Sequence, residues 1–143
     1  MKIRVAFGVL ALVWFAGVAQ SNVRAEQTKS VWDGVFTKEQ ADKGAVAYKT
    51  SCSECHGNDL AGDGFAPSLQ GSEFLGNWTD LTVGDLFERI RISMPPSGPG
   101  AVSPDMKADI VAFILSSNKF PAGQGTLEGK TDVLKAIKID AKK

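Results

Sequence analysis

Beyond residue 36, apolar and polar positions repeat three times with the period of an α-helix. The first pattern begins at Thr37, whose hydroxyl can cap a helix. Gln40, three positions on, completes a capping box, and Phe36 can staple onto Ala41. Ala41, Ala45, Tyr48 and Cys52 then recur at i, i+4, i+7 and i+11, along one helical face. The second pattern covers 82–92, with Thr82 as cap and Val83, Leu86, Phe87 and Ile90 as its stripe. It must end at Met94-Pro95-Pro96, because proline has no N–H and disfavours a helical conformation in the residue before it. The third is SPDMKADIVAFILSSN, in which Ser103 caps, Pro104 takes the first helical position and Asp105 suits the helix dipole. Met106, Ile110, Phe113 and Ile114 are its predicted buried face, with Met106 as a core gap-filler. A short helical turn is expected around Ser72 to Leu75. No run alternates in the manner of strands, so the predicted class is all-α.

The stretch GNDLAGDGFAPSLQG separates the first two helices. A loop of that length is unusual inside a small domain, and three short helices supply a thin core. Both features point to a buried prosthetic group as the missing hydrophobic centre. Ahead of the helices, residues 1–25 read as an export signal, with Lys2 and Arg4 first, then an apolar or small run from Val5 to Ala19, then Val23-Arg24-Ala25 as cleavage pattern. That run has 15 residues, against the roughly 20 that span a bilayer as a helix. The expectation is cleavage after Ala25 and no membrane span in the mature chain, an uncleaved anchor being the alternative.

Charge narrows the partners. Losing Lys2, Arg4 and Arg24 from a balanced 16 basic and 16 acidic residues leaves 118 residues with net charge −3. An acidic exported domain is a poor nucleic-acid binder, so none is expected. The segment 128–143 runs the other way, with five lysines against three acids, and is read as a solvated end.

The chemistry is concentrated in SCSECHG, which holds both cysteines of the chain, Cys52 and Cys55, and its single histidine, His56. A structural zinc site takes four N or S ligands, and this chain offers three such side chains. A CxxC redox catalyst sits on a βαβ scaffold with the first Cys opening a helix, whereas here a helix precedes the motif. C-x-x-C-H is the attachment signature of c-type haem, and it uses every residue of the cluster. The two thiols add across the porphyrin vinyl groups, and His56 follows so that an imidazole nitrogen reaches the iron. The other ring nitrogen then needs an acceptor. The carbonyl of Pro67 is the candidate, the alternative being an ordinary turn proline. For the sixth iron position there is no second histidine. Met94, on a proline-braced turn after a helix, is assigned in preference to Met106.

Taken together, the chain resembles a class I single-haem cytochrome c over residues 37 to about 120. Gly44, Tyr48 and Cys52 reproduce the family's Gly, aromatic and first haem-Cys spacing. Ile110 and Phe113 match the aliphatic–aromatic pair of its terminal helix, and Pro67 and Met94-Pro95 match its proline and methionine turns. The segments VWDGVFT, DLFERIRISMPP and FPAG are similar to small bacterial cytochromes that accompany PQQ-dependent dehydrogenases. The resemblance implies a cytochrome c fold, with three main helices and long loops around one covalently bound haem c and its iron. It implies a division into a 1–25 signal peptide, a 26–36 extension, a 37–120 cytochrome domain and a 121–143 tail. Cys52 and Cys55 would carry the haem and His56 and Met94 the iron. Phe65, Leu69, Leu86, Phe87, Ile90 and Phe113 would wall the haem, while Trp78 is either a propionate donor or plain core.

The implied function is a periplasmic one-electron carrier and not an enzyme. Its partners would be redox proteins: a dehydrogenase donor, with a quinoprotein as one candidate, and an oxidase or other haem-protein acceptor. Lysine-ring docking to a strongly acidic patch fits poorly, because the basic positions near the haem-bearing elements are only Lys43, Lys49 and Lys107. Two readings stay open beside the carrier. One is a haem enzyme or gas-binding module with an open sixth position, the other a fixed haem subunit of a larger complex. The tail from Leu134 could cover an edge of the haem crevice or lie in solvent.

Overall fold

A computed structural model describes residues 28–141; the expected export segment lies outside the described residues. The hydroxyl-capped starts fall where the sequence puts them. Helix α1 (Lys38–Ser51) begins after Thr37, whose hydroxyl accepts from Gln40 N at 3.1 Å. Helix α2 (Ser53–His56) follows at once and packs on α1. Helix α3 (Gly71–Trp78) is a full helix where only a turn was expected around Ser72 to Leu75. Helix α4 (Val83–Ser93) opens on a reciprocal box. Thr82 Oγ1 accepts from Asp85 N at 3.1 Å and Asp85 Oδ2 accepts from Thr82 N at 2.9 Å. Helix α5 (Pro104–Ser117) starts at Ser103, which accepts from Met106 N at 3.2 Å. A further short helix, α6 (Thr131–Leu134), lies in the tail. Strand content among the described residues is limited to a parallel pair, β1 (Lys29–Ser30) with β2 (Ile137–Lys138), in register Lys29 to Ile137.

The principal packing is α1 against α5, with α4 against α5 and α6. Gly44 makes the first of these possible, since a Cβ there would overlap the Asp109 carbonyl of α5. One continuous core runs from Val31 to Ile139. It contains Phe36, Tyr48, Phe74, Phe87, Val111 and Leu115 from the helices and their lead-in, and Leu127, Leu134 and Ile139 from the tail. The tail is therefore packed structure and not a solvated end. The segment before α1 is equally built in, with Gly123 N donating to Phe36 O at 2.8 Å and Gly125 N to Gly34 O at 3.0 Å. Packing continues across residues 36 and 120 alike. No described helix is long and apolar enough to cross a membrane.

Three expectations are corrected. Gln40 caps through its backbone only, because its side chain turns away to Leu127, donating to Leu127 O at 2.8 Å and accepting from Leu127 N at 2.9 Å. Met106 is 43 % exposed and not core. The buried face of α5 is rotated by one position, to Lys107, Ala108, Ile110, Val111, Ile114 and Leu115, with Phe113 half-buried.

Candidate functional site

Cys52, Cys55 and His56 come together because α1 stops at Cys52 and the chain re-enters helix in α2. Cys52 N donates to Tyr48 O at 2.8 Å, and Cys52 O accepts from His56 N at 3.0 Å. The break leaves Cys52 half-buried against the core and Cys55 exposed, both as free thiols. Burial pushes the Cys52 thiol up, and the Lys107 charge opposes that shift. His56 is buried at the end of α2, where the chain turns out through Gly57 at φ +76°.

His56 Nδ1 lies 2.9 Å from Pro67 O. A carbonyl oxygen can only accept, so Nδ1 carries a proton, and of the two neutral tautomers this bond selects the one that leaves Nε2 for a metal. The loop that delivers Pro67 is held by its own polar groups. Gly62 N donates to His56 O at 2.9 Å, and Leu69 N donates to Leu60 O at 2.8 Å. Asp63 Oδ1 accepts from Phe65 N at 2.9 Å and Ala66 N at 2.8 Å, and these two N–H groups hold its carboxyl below the usual carboxylate range. Tyr48 reaches over to donate its hydroxyl to Gly57 O at 2.8 Å, and burial pushes its pKa up to about 12. Asn118, at the end of α5, ties down the far side of the loop. Its Nδ2 donates to Leu69 O at 2.9 Å and its Oδ1 accepts from Gly71 N at 2.9 Å. Asn118 escaped sequence reasoning; its one signal is an amide at a helix C-terminus.

Met94 is the C-cap of α4, half-buried in extended backbone, with its N–H donating to Ile90 O at 3.0 Å and a cis bond to Pro95. Phe87 and Leu86 are fully buried, and Leu69, Trp78, Ile90 and Phe113 flank the same core. Phe113 meets the Tyr48 ring at a centroid distance of 5.2 Å, and Trp78 meets Phe74 at 6.5 Å. Phe65 is different. It is 100 % exposed and packs on none of these residues.

Lys107, expected as a docking lysine, is 2 % exposed. Its ammonium donates to Arg91 O at 3.0 Å and to Pro99 O at 2.6 Å. Burial, and after it the Arg91 charge, pushes the amine below the usual lysine range. Lys43 and Lys49 are exposed on α1.

Two free thiols beside an imidazole whose Nδ1 is held by the Pro67 carbonyl fit a c-type haem. No group of three or more His, Cys, Asp or Glu side chains that could hold a metal ion occurs among the described residues. Residues 39–114, more than half of the 143-residue chain, match the family described as cytochrome C oxidase, cbb3-type, subunit III. No curated protein and no solved structure matches the chain.

Proposed function

The chain belongs to this cbb3-type subunit III family of c-type cytochrome domains, whose covalently bound haem c supplies a one-electron iron couple, and on that premise we propose that it is a periplasmic electron carrier and not an enzyme. The observation that carries the reading is His56, with Nδ1 committed to Pro67 O at 2.9 Å directly beside two free thiols. Cys52 and Cys55 anchor the group. His56 offers Nε2 to the iron and Met94 its thioether. Met/His ligation raises a haem potential. The buried Leu86 and Phe87, with Leu69, Ile90 and Phe113 at the edge of the core, exclude water and keep charge reorganisation small. Residues 1–25 act as the export signal, 26–36 as an extension and 121–143 as a tail to a 37–120 domain. A dehydrogenase, with a quinoprotein as candidate, is the donor, and an oxidase or other haem protein is the acceptor.

The test is the absorption spectrum of protein matured in a periplasm, recorded oxidised, reduced, and reduced under CO. The carrier shows a low-spin spectrum with the weak methionine-to-ferric-iron band and no CO shift. A high-spin spectrum with a clear CO shift instead indicates an open iron and a gas-binding or enzymatic role. Met94→Ala abolishes the band and lowers the midpoint potential; an unchanged potential sinks the axial assignment. A second reading, a fixed haem subunit, is favoured by the family's own description as an oxidase subunit. Recovery only in a high-mass complex after gentle extraction selects it.

A further inference from the structure

The turn that carries Met94 has a defect at its root. In α4 the Arg91 carbonyl would normally accept from the N–H four residues on, but that residue is Pro95, which has none. The Lys107 ammonium, arriving from α5, donates to Arg91 O at 3.0 Å in place of the missing N–H. The same ammonium donates to Pro99 O at 2.6 Å, in the 3₁₀ turn Pro99–Ala101 that closes the segment. The two carbonyls bracket residues 92–98, so one cation joins the root of the Met94 turn to its exit. Within the turn, Gly98 N donates to Pro95 O at 3.0 Å. A lysine that is 2 % exposed on an otherwise apolar helix face has given up its hydration, and these two charge-assisted bonds are what replace it.

We infer that Lys107 is the positioning residue of the Met94 turn, a buried cross-strap that keeps the thioether at the iron. The inference rests on the axial reading of Met94. When the strap is cut, two carbonyls lose their donor and the turn opens more often. A competing ligand binds in proportion to the open population, so opening is read directly as affinity.

The experiment titrates imidazole into the ferric holoprotein and follows the methionine-to-iron band. Lys107→Met keeps the stem and removes the donors. Imidazole then binds about tenfold more tightly or better than to wild type, the scale expected for losing hydrogen bonds to a charged donor, and the band weakens without imidazole. Val31→Ala, a core truncation unconnected to the turn, lowers the denaturation midpoint but leaves imidazole affinity at the wild-type value. If Lys107→Met yields no holoprotein, Lys107→Gln, which keeps a shorter neutral donor, carries the same readout. A wild type that has the band, with Lys107 variants binding imidazole no more tightly, overturns this inference alone. A wild type without the band, unchanged by Met94→Ala, overturns the axial reading and this inference with it.

Discussion

The Glu88 carboxylate accepts from Arg91 Nε at 2.7 Å, from Arg91 Nη2 at 2.6 Å and from Thr131 Oγ1 at 2.7 Å. The Arg91 bonds foremost, and then Thr131, hold its pKa down to about 2. An unfolded glutamate titrates near ~4.3, so the pairing stabilises the fold above that pH and is lost as pH falls toward the folded value. Glu88→Gln should lower the thermal midpoint slightly at neutral pH. The gap to wild type should close between about pH 4.5 and pH 2. Added salt should shrink it, because the site is solvent-screened; a gap constant with pH would show that the carboxylate charge is irrelevant. Individual residues are also where sequence reading reached least far. Gln40 looks like a capping residue from its neighbours, yet its amide serves Leu127, 87 positions away. Lys107 looks like a surface cation, yet Pro95 has left the Arg91 carbonyl, sixteen positions before the lysine, for its ammonium to take. Neither commitment is local, so no window on the sequence displays it.

Helices are the level at which the sequence is most readable. The caps Thr37, Thr82 and Ser103 lie one residue before the observed starts, and Met94 ends α4 as the Pro-Pro pair requires. Caps and proline act through their immediate neighbours, which is why they can be read without a fold. Which face is buried is set by the partner helix, and on α5 that face is rotated by one position from the periodic stripe, which leaves Met106 exposed. The α1–α5 contact depends on a missing side chain. Gly44→Ala would drive a methyl group into the Asp109 carbonyl and should destabilise by about 2–3 kcal/mol, the scale of overpacking in a core with no room to shift. Chemical denaturation measures it, and a cost near zero would mean that the helices separate freely. Gly84 plays the corresponding part for the tail, since a Cβ there would meet Lys135 N at 2.6 Å.

For the molecule as a whole, the thiol–imidazole cluster and its helical setting were legible because the motif is contiguous, whereas the packing of the tail was not. Its charge resembles a solvated end, and its apolar residues, Leu127, Leu134, Ile137 and Ile139, keep no single helix or strand period. In the structure all four are buried. Each such burial contributes about 1.5–3 kcal/mol, so together they rival the ~5–15 kcal/mol that separates folded from unfolded domains. A chain ending at Phe120 should therefore lose cooperative unfolding or melt at a much lower temperature, as followed by circular dichroism. Unchanged melting would reduce the tail to decoration. The β1–β2 pair has a mechanical consequence as well. Lys29 N donates to Ala136 O at 2.9 Å and Trp32 Nε1 to Asp140 O at 3.0 Å, so the described chain is closed on itself between β1 and β2. Tension applied at residues 28 and 141 loads this parallel pair in shear, and the thiols, imidazole and thioether lie inside the closed circuit, carrying no force until the pair parts.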